Sequence, residues 1–248
     1  MFKSVTNLKT SDCGDCPIQA SAVCSRCEPD ELEALERLKT YKTYAAGQTI
    51  IWAGDELQFV GSVVKGVATL SQTMEDGRRQ MVGLLLPSDF VGRPGRQHAP
   101  FDVIAATEVT LCRFHKADFE NLIKTSTAVA SRLLEMMLDE LDAAREWMLL
   151  LGRKTAREKI ASLIVIIARR DKSLGPFEGN SRIQFDLPLS REAMADYLGL
   201  TLETVSRQIS SLKRDGFIEL TGKRHIAIPD FARLENETGD DTDGGMLA

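Results

Sequence analysis

The segment Ser190 to Gly216, SREAMADYLGLTLETVSRQISSLKRDG, constrains this chain more than any other, because it reads as two short helices joined by a tight turn. Ser190 is a good N-cap with Glu192 in the first turn, and Ala193, Tyr197 and Leu198 share a face before Gly199 breaks the helix. A second helix restarts at Thr201. Its Leu202, Val205, Ile209 and Leu212 recur at steps of three and four, which predicts one buried stripe, while Glu203, Thr204, Ser206, Arg207, Ser210 and Arg214 point away. The spacing predicts a helix-turn-helix with a polar, basic outer face.

Those outward side chains are of the types that read base edges. Arg207 can donate two bonds to guanine, and Glu203 can accept from cytosine or brace Arg207 one turn away. Ser206 suits either base or phosphate, while Lys213 and Arg214 have the reach and charge for phosphates. An ordinary helical hairpin with a solvated face is the plain alternative. Against it stands FIELTGKRHIAIPD, two short strands around a basic turn at Gly222, Lys223 and Arg224, which fits a hairpin wing beside a DNA groove.

A net charge of −5 argues against nucleic acid until it is divided along the 248 residues. Residues 153–234 carry 15 Lys and Arg against 10 Asp and Glu, residues 1–152 carry 16 against 21, and the tail from Glu235 has five acids and no base. A basic module on an acidic body suits DNA binding, since only the docking face must displace counterions. The longest apolar runs, such as LIVIIA at 163–168, are too short to span a bilayer, and MFKSVTNLKT has no apolar signal core, so a cytoplasmic location is expected.

Near the other end, CGDCPIQASAVCSRC holds Cys13, Cys16, Cys24 and Cys27, with two, seven and two residues between successive cysteines; Cys112 stands alone. This crowding argues for metal ligation or redox chemistry over a disulfide framework. Paired C-x-x-C units suit structural zinc, although the seven-residue gap is short for a zinc ribbon. An iron–sulfur cluster held by three of these cysteines and Cys112 is equally compatible, and free thiols are the third reading.

Pro29-Asp30-Glu31 starts a short helix with Leu32, Leu35 and Leu38 on one stripe, through about Lys39. From Lys42 to Phe114, short apolar runs punctuated by glycine predict an antiparallel sandwich or barrel, with Glu75-Asp76-Gly77 as a hairpin tip. His98 and His115 are isolated, and no nucleophile or acid–base set suggests an enzyme. A long helix is expected from about Lys116 or somewhat later to Leu151. Ala130, Leu134, Met137, Leu141, Ala144, Met148 and Leu151 alternate by four and three, a coiled-coil seam for a homodimer. A second stripe, Leu133, Met136, Ala143, Trp147 and Leu150, is expected to pack on the chain's own sandwich. Glu135, Asp139, Glu140, Asp142 and Glu146 crowd the same helix and would repel their mates, so the dimer should be marginal. A hinge is expected at Gly152-Arg153-Lys154. An amphipathic helix then presents Ile160, Leu163, Ile164 and Ile167 to a second core, and a strand, IQFDLPL, leads to the helix-turn-helix.

A β-sandwich, a long dimer helix and a winged helix-turn-helix in that order resemble the CRP/FNR family of bacterial transcription regulators. The cysteine cluster, TLCRF, MLLLGRK and LGLTLETVSRQ look like the FNR branch, and most like its FnrL/FnrN-type oxygen sensors, in which C-x2-C-x7-C and a later cysteine hold a [4Fe–4S] cluster. The resemblance implies Cys13, Cys16, Cys24 and Cys112 as ligands, with Cys27 spare or a substitute. It implies Glu203, Ser206 and Arg207 as readers of palindromic TTGAT half-sites, matching the family's E-x-x-S-R. It also implies an α+β fold: an antiparallel β-sandwich or jelly-roll sensor domain like a cyclic-nucleotide-binding domain, a dimerisation helix and a winged helix-turn-helix.

On that basis residues 1–29 form the cluster-binding segment, 30–115 the sensor domain, 116–152 the dimerisation helix region, 153–234 the DNA-binding domain and 235–248 an acidic disordered tail. The stretch DFVGRPGRQHAPFDVIAAT lacks the acid–arginine set of cyclic AMP binders, so no cyclic nucleotide is expected. RNA polymerase is the implied partner, with Pro87 to Gln97 as a candidate contact. The competing reading is a winged-helix regulator with structural zinc or another redox signal at the cysteines.

Overall fold

Short β-branched runs between glycine turns become two antiparallel sheets in the computed structural model, which describes residues 13–77, 79–170, 182–222 and 224–239. The chain divides into two compact units, residues 1–72 with 82–139 and residues 73–81 with 140–248. This division falls inside the long helix, short of the expected hinge at residue 152.

In the first unit a short 3-10 turn, Cys13–Asp15, and a run of turns lead to α1 (Pro29–Leu38). Glu28 and Glu31 close a capping box at its start, and Leu35 is its buried residue. One sheet has the order β1 (Thr40–Tyr44), β8 (Val109–His115), β3 (Phe59–Lys65), β6 (Phe90–Val91). The other has the order β2 (Thr49–Ile51), β7 (Asp102–Ala105), β4 (Ala68–Thr73), β5 (Arg79–Leu85). Tyr44, Ile51, Leu57, Val63, Leu85, Val103, Val109 and Leu111 belong to one core. A second core, with Ile18, Val23, Leu35, Val60, Phe90, Phe114, Phe119 and Val129, joins the cysteine segment to the sandwich and the helices after it. Gly77 turns the β4–β5 hairpin at φ +84°, where the sequence places the tip.

The long helix starts at the later end of the expected range, after a separate short helix. α2 (Lys116–Thr125) ends at Ser126, whose extended backbone breaks the path, and α3 (Thr127–Arg153) follows. The Ser126 hydroxyl explains the restart. It accepts from Val129 N at 3.1 Å and lies 2.5 Å from Glu31 Oε1, so the start of α3 is capped and tied to α1.

In the second unit α4 (Ala156–Arg170) buries Ile160, Leu163, Ile164 and Ile167, as the periodicity predicts. A three-stranded sheet, ordered β10 (Glu219–Thr221), β11 (His225–Ile228), β9 (Ile183–Asp186), forms the wing. α5 (Arg191–Leu198) and α6 (Leu202–Arg214) form the helix-turn-helix, and α7 (Phe231–Asn236) follows. Trp147 stacks on Tyr197 at 3.7 Å and Ala143 is exposed, so the second stripe packs on the sandwich core only through Leu133 and Met136. Residues 235–239, expected in the acidic tail, are ordered on the second unit, and residues 240–248 lie outside the described residues. Glu235 and Glu237 pair with Arg169 and Arg157, and Thr238 is buried, because α4 presents two guanidinium groups to them.

Candidate cysteine site and DNA-reading surface

Cys13, Cys16, Cys24 and Cys112 line one cavity with Ile18, Ala22, Val23, Leu35, Tyr41, Ser62 and Phe114. Tight turns make the first three converge. Cys16 N donates to Cys13 O, Gln19 N to Cys16 O, Ala22 N to Ile18 O and Ser25 N to Ala22 O, while Ile18, Ala22 and Val23 sink into the core. Cys112 arrives from β8, where β1 and β3 set Tyr41 and Ser62 opposite it in register. Cys27 packs against the same core without lining the cavity. All five are free thiols.

Burial, then the neighbouring Cys16 and Cys13, pushes the Cys24 thiol up to about 11. Burial with Cys16, Cys13 and Cys24 around it takes Cys112 to about 12. Cys27 also reaches about 12 through burial, Cys24, Glu31 and Cys13. Cys13 is raised by burial against the opposing hydrogen bond from Lys39, whose Nζ lies 3.2 Å from the sulfur. These thiols are therefore protonated at neutral pH, and a metal group must displace their protons to bind. Among the described residues no group of three or more His, Cys, Asp or Glu side chains closes on a single metal ion. The four sulfurs surround a volume instead. Four soft donors in an apolar wall, with an orphan hydroxyl on Ser62, are chemically suited to an iron–sulfur group.

The cysteine segment is fastened to the first half of α3. Arg132 Nη2 donates to Ser21 O at 2.8 Å, and Arg26 pairs with Glu135 at 2.5 Å. Arg132 also reaches Glu135 at 3.2 Å. Glu135 is thus neutralised, as is Asp142 by Arg145 at 2.9 Å, so two of the five acids on this helix repel less than their sequence positions suggest. Leu134, Met137, Leu141 and Met148 of the expected seam are exposed, Ala144 is exposed and Ala130 and Leu151 are half-buried. Leu138 and Leu149, outside that heptad pattern, are exposed as well and widen the apolar stripe.

In the helix-turn-helix the caps form as their residue types require. Ser190 Oγ accepts from Ala193 N, Gly199 takes φ +61° and Thr201 Oγ1 accepts from Thr204 N. α6 buries Val205, Ile209 and Leu212. Leu202, expected in that stripe, is 51% exposed because it occupies the first turn, and α5 buries Met194 and Ala195 rather than Ala193. Glu203, Ser206, Arg207, Ser210 and Arg214 line one shallow groove with Gln208 and Ser211. Glu203 Oε1 stands 3.8 Å from Arg207 Nε, the expected brace. Thr204 is half-buried and its hydroxyl is 2.8 Å from that of Thr201, so it is engaged in the cap. Ser210 donates back to Ser206 O at 2.8 Å. Lys213 and Arg224 are exposed; Lys223 lies outside the described residues.

Residues 158–237 match the Crp-like helix-turn-helix domain and residues 41–126 the cyclic nucleotide-binding domain. The chain is 67% identical over 234 residues, 94% of each sequence, to the transcriptional activator protein FnrL of Cereibacter sphaeroides. The chain belongs to the CRP/FNR family, in its FNR branch. It is also 39% identical to the nitrogen fixation regulation protein FixK of Bradyrhizobium diazoefficiens, over 90% of this chain and 92% of that one. The solved FixK2 structure from Bradyrhizobium japonicum superposes with a TM-score of 0.73 at 31% identity, covering 82% of this chain and 99% of that one.

CRP/FNR proteins are transcription factors, not enzymes, and the helix-turn-helix is their DNA-binding module. Among the described residues no helix is long and apolar enough to cross a membrane. Two residues that sequence patterns did not single out stand at the FNR-branch cysteine cavity. Ser62 had only a faint signal, one hydroxyl inside the apolar run FVGSVV, and Lys39 had none, being one of several charges at the end of a surface helix.

Proposed function

We propose that this protein is an oxygen-responsive transcription regulator, cytoplasmic and active as a homodimer, that binds TTGAT-type palindromes when a [4Fe–4S] cluster is held by Cys13, Cys16, Cys24 and Cys112. The observation that carries this reading is that four thiols from two distant parts of the chain line one cavity, in a segment fastened to α3. When bound, such a cluster supplies a centre that dioxygen can oxidise and dismantle.

The protein does the rest. Cys13, Cys16 and Cys24 hold the segment, Cys112 anchors it to β8, and Arg26 and Arg132 carry its position to Glu135 and the Ser21 carbonyl on either side of the α3 contact. A seated segment keeps Glu135 neutral and leaves Leu134, Met137 and Leu141 to meet a second copy. The dimer sets two recognition helices about one DNA turn apart, and each half-site contributes its own contacts. RNA polymerase is the downstream partner, with Pro87 to Gln97 as the offered loop, and no cyclic nucleotide is required.

Anaerobic purification with iron, sulfide and zinc analysis tests the reading, followed by binding to a TTGAT palindrome before and after air. About four irons per chain with binding lost in air is expected. Zinc, or binding indifferent to oxygen, would leave a winged-helix regulator with another signal. Arg207→Ala should cost about 1–3 kcal/mol and relax specificity at one base pair, measured by competition against single-base variants; Arg207 is exposed and braced by Glu203. Leu141→Glu should turn the anaerobic dimer into monomer in sedimentation equilibrium, since it sets a carboxylate into the exposed stripe of both copies.

A further inference from the structure

Ser62 lines the thiol cavity and Lys39 touches one of its cysteines, and neither has a role in the ligand set. Ser62 is 2% exposed, and among the described residues its hydroxyl has no hydrogen-bond partner. A hydroxyl buried without a partner is costly, so its presence at the wall of a cavity points to something that fills the cavity. It lines that cavity beside Cys112, its register partner across β3 and β8. Lys39 is the second group. Its side chain is 10% exposed, and its ammonium donates to Cys13 Sγ at 3.2 Å and is balanced by Glu36 at 3.6 Å.

Resting on the cluster reading above, we propose that Lys39 and Ser62 are positioning residues that donate hydrogen bonds to sulfur atoms of the bound iron–sulfur group and so set how readily it gives up an electron. Hydrogen bonds and positive charge at the sulfurs stabilise the more reduced, more negative state, which raises the reduction potential. The two donors stand by different ligands, Cys13 from the N-terminal segment and Cys112 from β8, so they act on different sulfurs. A cluster stripped of either donor is oxidised more easily, and the oxygen level at which the regulator switches falls.

Film voltammetry on the full-length, anaerobically prepared protein tests this, with the electrode supplying the single electron. Lys39→Met and Ser62→Ala should each lower the midpoint potential, the double variant should show close to the sum, and Lys39→Arg, which keeps a charged donor, should stay near the wild-type value. The half-time for loss of absorbance near 400 nm in air should shorten several-fold in the same order. Potential does not depend on how many molecules are loaded, so a variant that holds less iron still reports. Unchanged potentials in Lys39→Met and Ser62→Ala would overturn the proposal, as would a Lys39→Arg shift equal to that of Lys39→Met, which would mark a packing effect. Wild-type protein carrying no iron would overturn the cluster reading itself, together with this one.

Discussion

Cys112→Ala is expected to leave a folded, iron-free protein that binds a TTGAT palindrome at least about a hundredfold more weakly under nitrogen than the wild type. Cys112 is 9% exposed on the strand between β1 and β3, and it is the one thiol of the cavity that the N-terminal segment does not supply. Removing its sulfur leaves a small void beside Phe114 and Leu35, a cost of about 1–2 kcal/mol that the sandwich can bear. The segment then has three thiols and no covalent route to β8. Cys27→Ala is the matching control. Cys27 lies outside the cavity, so that variant should keep its iron and its DNA affinity. Iron retained by Cys112→Ala and lost by Cys27→Ala would exchange their roles and refute the ligand set.

Gly61→Ala should be strongly destabilising in the first unit. Gly61 lies on β3 with its hydrogen aimed at β8, and an added Cβ would sit 2.2 Å from the Cys112 carbonyl oxygen and 3.1 Å from Arg113 Cα. Both obstacles are backbone, so relief means parting the two strands that carry Cys112 and Ser62. A cost of about 3 kcal/mol or more is expected, read as a fall of roughly 10 °C in the thermal midpoint or as insoluble protein. Gly77→Ala separates steric from dihedral effects. Nothing lies within 4 Å of its added methyl, but φ is +84°, so the cost should stay near about 1–2 kcal/mol. Equal losses at the two glycines would mean that strand proximity is not what Gly61 answers to.

The helix-turn-helix was legible because its signals are local. Ser190, Gly199 and Thr201 act through bonds to residues within a turn of themselves, and Val205, Ile209 and Leu212 fall on one face whatever they pack against. Leu202 shared their period and missed the core, because a first-turn position extends past the buried stripe. Periodicity names a face without naming its partner. That is why Trp147 was assigned to the sandwich although Tyr197, 50 positions further along the chain, is what it stacks on. The break at Ser126 carried no glycine or proline, and its cause, the bond to Glu31, is a tertiary one. Composition alone made Glu235 and Glu237 look like part of a solvated tail, since nothing near them in sequence announces Arg157 and Arg169.

Spacing left cluster, zinc and free thiols open for the same reason: Cys112, Ser62 and Lys39 reach the other thiols through β-sheet register and the end of α1, which no interval between cysteines encodes.

β8 is the last strand of its sheet in sequence and an inner one in space, inserted between β1 and β3. A ribosome making this chain releases Cys13, Cys16 and Cys24 first, and more than half of the first unit must follow before Cys112 emerges. Until then no carrier can deliver a group to a complete set of four thiols. On the proposed ligand set, loading therefore cannot be complete before β8 has been made, however early the other three thiols emerge.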